Sequence, residues 1–300
     1  MLTEGGAEQQ NRPPSAVDQP QKSSKATLLL RIATAVVAAG ITCSVLSVSV
    51  GWPLALLGAF LIWAGAWELG DLMRWQGWAR FFATAAALSA VAGVAGTFYN
   101  NREHTYLLYT TTILFLVGIA TAVWNVRSKI GIGINWLSIL WLVSPILTLL
   151  AIHEWRGIPA VTPHPVLFML IPIWAGDTAA YFFGRKFGRR PLAPLISPKK
   201  TIEGGIANII AAVGTAAALA PYFKVDWLPA VLVGLSAGIL GQCGDLFESW
   251  LKRHTGVKDS GGLLPGHGGI LDRIDSVLFA AIPSCWVIVL LAPQMFHVKQ

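Results

Sequence analysis

Apolar runs of about twenty residues recur from Thr27 to Pro293, and no other feature of this chain restricts its fold as much. A helix needs roughly 20 apolar residues to cross the hydrocarbon core of a bilayer. Nine runs of that kind can be read: Thr27–Val50, Trp52–Leu72, Trp78–Tyr99, Tyr106–Val126, Ile130–Ile152, Pro165–Phe183, Ile206–Phe223, Leu228–Trp250 and Ile270–Pro293. Only 12% of the 300 residues are charged, against roughly a quarter in soluble domains. Lipid is therefore the expected solvent. The expected fold is all-α: a polytopic bundle of about nine membrane helices with no room for a separate soluble domain. Residues 1–26 are rich in Gln, Ser, Pro and charge and read as a disordered tail. The first apolar run begins too late for a signal peptide and leads into further membrane segments.

The net charge of +7 has its explanation in placement, and nucleic acid is not an expected partner. With the N-terminus in the cytoplasm, the outer connections hold only Arg102, Arg156, Lys224 and Lys299 of the 22 Lys and Arg. All the others fall inside. Positive charge marks the cytoplasmic side, so the expected orientation is N-in and C-out, in a bacterial-type inner membrane. Cys43, Cys243 and Cys285 all lie in apolar stretches, are odd in number and form no CxxC pair. Neither a disulfide framework nor a zinc site follows from them.

Acids in membrane segments cost about 2.5–3.5 kcal/mol each on insertion scales and rarely persist without a use. Asp177 lies within WAGDTAAYFFG, Asp245 and Glu248 within GDLFESWLKR, and Asp272 and Asp275 within GHGGILDRIDS. Helical spacing sets Asp245, Glu248, Ser249 and Lys252 on one face, and Asp272 and Asp275 one turn apart. Carboxylates converging from two neighbouring helix ends suit a hard cation such as Mg²⁺, which takes one or two carboxylates plus phosphate oxygens. The plainer alternative is an ion-pair network in which Lys252 and Arg273 neutralise the acids. Asp177 either lines a lipid entrance or pairs with Arg185.

Two polar connections expected on the cytoplasmic side flank these acids. The first, from Gly184 to about Gly205, carries six cations between Arg185 and Lys200, with Ser197, Thr201 and Glu203 beside Lys199 and Lys200. Such a loop is either a topology signal or a phosphate contact. The second reads KRHTGVKDSGGLLPGHGG. Its glycines and the helix start at Ile270 would let backbone amides approach a phosphate, with Lys252, Arg253 and Lys258 adding charge. A flexible linker is the alternative. His267 sits between two glycines, and a general acid, a phosphate donor and a turn former are all open roles for it. No Walker A motif is present.

The stretch from Ser249 to Asp275 closely resembles the signature of the phosphatidate cytidylyltransferases (CDP-diacylglycerol synthases). Ser249, Lys252, Arg253, Lys258, Asp259, Pro265, His267, Gly268, Gly269, Asp272, Arg273 and Asp275 carry that resemblance. DTAAYFFGRKFG followed by SPKKTIEGG resembles the same family's second landmark, whereas upstream only the strings LLLRIATA and AWEL are similar.

The resemblance implies transfer of a cytidylyl group from CTP to phosphatidic acid, with Mg²⁺ as cofactor and K⁺ as a second cation. Asp245, Asp272 and Asp275 would then hold the metal. Lys252, Arg253, Lys258, Lys199 and Lys200 would meet CTP or lipid phosphates, and the site would face the cytoplasm. Residues 27–152 read on this basis as N-terminal membrane helices, and 153–300 as the catalytic membrane region with its two loops. Membrane lipid is a further expected partner, and a homodimer is the assembly considered. The rival readings are a membrane CTP-dependent lipid or polyprenol kinase and an ion-coupled transporter. A transporter would spread its acids across the bilayer midplane and show an inverted repeat, and no repeat is visible.

Overall fold

The computed structural model describes residues 25–47, 52–74, 85, 104–128, 139–154, 165–263 and 268–295. Helices dominate: α1 (Lys25–Leu46), α2 (Trp52–Leu72), α3 (His104–Ser128), α4 (Leu140–Glu154), α5 (Pro165–Phe187) and α6 (Ile202–Phe223). They are followed by α7 (Trp227–Leu235), α8 (Gly241–Thr255) and α9 (Leu271–Met295). A π-helical turn, Ser236–Leu240, joins α7 to α8 as one 29-residue helix, Trp227–Thr255.

Among the described residues, five helices are long and apolar enough to cross a membrane: α2, α5, α6, the joined α7–α8, and α9. Shorter apolar stretches lie in α1, α3 and α4. The expected third segment, Trp78–Tyr99, lies outside the described residues apart from position 85. So do residues 1–24 of the expected tail.

The helices do not end where apolarity ends. The sixth apolar run continues as helix to Phe187, the seventh helix begins four residues early at Ile202, and the eighth runs on to Thr255. Apolarity reports depth in lipid, whereas helix ends follow capping and charge. Arg185 and Lys186 stand in the last turn of α5, and Lys252, Arg253 and His254 in that of α8, where cations oppose the helix dipole. In α6 the Thr201 Oγ1 accepts the Gly204 amide at 3.1 Å, which places the first turn at Ile202. Thr201→Ala should therefore lower stability by about 1 kcal/mol. A fall in the detergent-solubilised unfolding midpoint, compared between variant and parent, checks it.

The first of the two polar connections, read from sequence as a loop, holds a small antiparallel hairpin, β1 (Pro191–Ala193) and β2 (Ser197–Thr201). The Ile196 amide closes its turn on Ala193 O at 3.2 Å, and the Ile202 amide returns to Arg190 O at 2.9 Å. The prolines at 191 and 198 are tolerated because a two-stranded ribbon has only edge strands.

Trp141, Phe168, Leu142, Leu69, Leu271 and Leu278 are fully buried and join α2, α4, α5 and α9 in one core. Hydrogen bonds cross between helices where lipid supplies no alternative: Thr148 to Thr111 at 2.9 Å, and Trp286 Nε1 to Thr112 at 2.9 Å. Trp52, Leu56, Phe60, Trp63 and Trp67 form an exposed stripe along α2. A stripe of that size is a liability in water and the expected surface in a bilayer. Where α8 crosses α9, Gly244 has no room for a Cβ against the Asp275 carbonyl. That close approach sets the charged ends of the two helices side by side.

Candidate active site

At the charged ends of α5, α6, α8 and α9 lies a cavity of about 870 Å³. Each wall follows from a short piece of sequence. From α5 come Asp177 and Tyr181, and from β2 come Ser197, Lys199, Lys200 and Thr201. Asn208 descends from α6, and Gln242, Asp245, Glu248 and Lys252 stand on one face of α8. The segment after α8 adds Asp259, and the first turns of α9 add Asp272, Arg273 and Asp275. Both polar connections flagged in the sequence thus meet at one place.

The acids are held by named partners. Lys200 pairs with Asp245, bringing the hairpin onto α8. Lys252, a buried lysine, pairs with Asp272 and lies 3.4 Å from Glu248. The other Asp272 oxygen accepts the Ser260 amide at 3.1 Å, the Ser260 hydroxyl at 3.1 Å and the Gly269 amide at 2.9 Å. Asp275 is buried and accepts the Ser276 amide at 2.7 Å. Asp177 accepts from Asn208 Nδ2 at 3.1 Å, while Arg185 donates to the Tyr181 hydroxyl at 3.2 Å. Asp177 and Arg185 both line the cavity, and each has another partner there.

Several expected site residues stand elsewhere. Arg253 donates to Ile196 O at 3.2 Å and to Val257 O at 3.3 Å, so it ties the hairpin to the end of α8. Glu203 accepts the amides of Arg189 at 3.0 Å and Arg190 at 3.4 Å and closes the connection before the hairpin. Ser249 and Lys258 are not among the lining residues, and His267 lies outside the described residues.

The glycine-rich segment also departs from expectation. Its amides were to receive a phosphate, but those at the start of α9 already hold an anion of the protein itself. Glu68 of α2 accepts the amides of Ile270 at 2.8 Å and Leu271 at 3.0 Å. Asp272 takes the Gly269 amide. Gly268, with φ +83°, makes the turn that allows this.

Glu68, Asn208, Gln242 and Ser260 are polar residues that the sequence reading does not single out. Gln242 Nε2 donates to Gly238 O at 2.6 Å and to Gly205 O at 3.1 Å, satisfying carbonyls beside the π turn. An acid inside an apolar run was the available signal for Glu68.

Fit to a divalent cation can be judged from these groups. Asp245, Glu248, Asp272 and Asp275 turn hard oxygens toward one cavity, the donor type Mg²⁺ prefers. The Glu248 carboxyl is 1% exposed, lies 3.4 Å from the Lys252 ammonium and faces the Asp275 carboxyl. A buried acid in that state has room for more positive charge than Lys252 supplies. No three such side chains gather closely enough for a single ion among the described residues. In this arrangement Lys200 and Lys252 hold two of the acids. The donor chemistry fits the ion.

Apolar helices of spanning length around a charged cavity define an α-helical integral membrane protein with a polar site at its helix ends. More particularly, the chain belongs to the cytidylyltransferase family, whose model matches residues 29–291. It is similar to the phosphatidate cytidylyltransferase of Staphylococcus haemolyticus, 50% identical over 121 residues that cover 39% of this chain and 45% of that protein. The phosphatidate cytidylyltransferase of Bacillus subtilis is 47% identical over 116 residues, covering 38% of this chain and 43% of that protein. That of Staphylococcus aureus is 45% identical over 118 residues, covering 39% and 45%. The matched stretch spans less than half the length of each of these relatives.

Proposed function

We propose that the chain transfers the cytidylyl group of CTP to phosphatidic acid, giving CDP-diacylglycerol and pyrophosphate. The observation that carries this reading is that both charged motifs, SPKKT and the stretch ending at Asp275, line one cavity at the ends of membrane helices. Similarity to relatives named phosphatidate cytidylyltransferase supports it further.

An oxygen of the lipid phosphate forms a bond to the α-phosphorus of CTP, and the bond from that phosphorus to the oxygen bridging to the β-phosphate breaks. Pyrophosphate leaves with that bridging oxygen. The nucleophile is a phosphate monoester already ionised at neutral pH, so the site needs charge neutralisation and alignment more than a strong base. Lys199 and Lys200 on the hairpin, with Arg273 on α9, line the same cavity and would neutralise phosphate oxygens. Asp245, Asp272 and Asp275 are the candidates to hold Mg²⁺, one or two of them directly and the rest of its sites left to phosphate oxygens, and the ion would supply charge compensation on the phosphates when bound. K⁺ is the proposed second cation. Asp177 and Asn208 lie deeper along α5 and α6, a suitable position for the lipid headgroup, whose acyl chains stay in the bilayer.

The same reading places the N-terminus and this site on the cytoplasmic side of a bacterial inner membrane, with nine spans and the C-terminus outside. The asymmetry of Lys and Arg supports that orientation.

The testing experiment gives the detergent-purified protein CTP, Mg²⁺, K⁺ and dioleoyl phosphatidic acid and measures pyrophosphate. Release that requires both substrates and Mg²⁺, with a CDP-lipid product, is expected. CDP formation with a phosphorylated lipid would replace this reading with a kinase. Neither product from folded protein would leave transport as the function to assay.

A further inference from the structure

We infer that Glu68, from the N-terminal half of the chain, is a positioning residue for the reaction centre, holding the first turn of α9 and, through Ser260, the Asp272 carboxylate. The inference rests on the cytidylyl-transfer reading.

Glu68 is 5% exposed, in a helix long and apolar enough to span a membrane. A carboxylate there requires compensation, and two backbone amides supply it, joined by the Ser260 hydroxyl, whose single proton is shared between Glu68 and Asp272. The Ile270 amide reaches Oε1 at 2.8 Å, the Leu271 amide reaches Oε2 at 3.0 Å, and the Ser260 hydroxyl lies 3.0 Å from Oε2. Two of these donors are amides that a helix N-terminus leaves without partners, and the positive end of α9 adds its field. Charge-assisted bonds to backbone amides are among the stronger hydrogen bonds. Glu68 is thus the internal anion around which the glycine-rich segment is built. A Cβ on Gly261 would stand 2.6 Å from Oε1, and one on Gly269 would overlap both Ser260 and Glu68.

Ser260 connects this clamp to the candidate chemistry. Its hydroxyl lies against both Glu68 and Asp272, and its amide donates to Asp272. Asp272, Arg273 and Asp275 all follow within two turns of the amides that Glu68 holds. A shift in the first turn of α9 therefore moves three residues of the cavity wall together. A residue that served stability alone would not be coupled to Asp272 in this way.

The test compares Glu68→Gln with Leu69→Ala, a control that removes a fully buried neighbour on the same helix. Both variants are expected to lower the unfolding midpoint. Only Glu68→Gln should reduce kcat per folded molecule, by about 100-fold, the scale of a 1 Å misplacement. Its KM for CTP should stay within about 3-fold, the pattern of a lost transition-state interaction. Hydrogen exchange at the amides of Ile270 and Leu271 should quicken in Glu68→Gln and not in Leu69→Ala. Unchanged kcat in folded Glu68→Gln overturns the inference, as does a loss that tracks the midpoint equally in both variants. Should Glu68→Gln fail to accumulate, Ser260→Ala takes its place, and parental kcat there overturns the inference equally. Parent protein that releases no pyrophosphate sinks the reaction itself. An active parent with an equally active Glu68→Gln sinks the positioning role alone.

Discussion

Asp272→Asn is expected to reduce pyrophosphate release by at least about 100-fold, the scale seen when one preorganised electrostatic group is removed from a reaction centre. Asp272 serves the Lys252 ammonium with one oxygen and, with the other, the amides of Ser260 and Gly269 and a share of the Ser260 hydroxyl proton. An amide cannot reproduce that pattern. If its oxygen keeps the Ser260 and Gly269 side, its NH₂ faces an ammonium; if it flips, the NH₂ faces two backbone amides. Each buried group left unmatched costs about 1–3 kcal/mol. Lys252 keeps Glu248 at 3.4 Å, and Glu68 still holds the start of α9, so folded protein should be recovered. The chemistry has no such reserve, because the lost charge is one that would hold the cation on the phosphates. Turnover at saturating CTP and Mg²⁺, normalised to folded protein, checks the expectation. Activity within about 3-fold of the parent would remove Asp272 from the reaction centre.

The membrane class was legible because hydrophobic runs and their charged flanks act over whole segments and survive small errors in placement. Helix ends were less legible. Ile202 begins α6 because Thr201 caps it, while Thr201 also lines the cavity beside Lys200. One hydroxyl in a string of polar residues looks the same in sequence whether it faces a substrate or the next turn of backbone. The hairpin at Pro191–Thr201 escaped for a related reason. Its strands are three and five residues long, too short for alternation to stand out.

In the site, residues related by helical period were readable, and residues related by tertiary approach were not. Asp245, Glu248 and Lys252 recur at three and four positions and do share the cavity face. Glu68 lies 202 positions from Ile270, and no local rule couples the two. A glycine-rich segment before a helix reads as a cradle for phosphate, and at the amides of Ile270 and Leu271 a carboxylate from another helix occupies that place. Arg253 shows the converse. Its place in a strong motif suggested phosphate, but its guanidinium reaches carbonyls of the hairpin and of its own helix end. A motif specifies which residue types gather, and packing decides which of them face the substrate.

Lys252→Met should be the most destabilising single change at the site. The lysine stem is buried on α8, with its ammonium against Asp272 and near Glu248. Methionine replaces the stem with similar volume and deletes the charge, leaving Glu248 and Asp272 without their common cation, while Asp275 lines the same cavity. Breaking a buried ion pair on one side costs about 3–5 kcal/mol, a large part of the roughly 5–15 kcal/mol by which folded chains are stable. Lys252→Arg is not a safe substitute, because a planar fork must fit where a compact ammonium sat. The unfolding midpoint of Lys252→Met should fall well below that of the parent, and added Mg²⁺ should raise it more in the variant. The second effect follows from the first: carboxylates released from lysine compete for the divalent cation with less internal opposition. Equal midpoints for variant and parent would mean that the ammonium is not the counter-ion of these acids. A lowered midpoint that Mg²⁺ leaves unmoved would mean that the released carboxylates do not take up the ion.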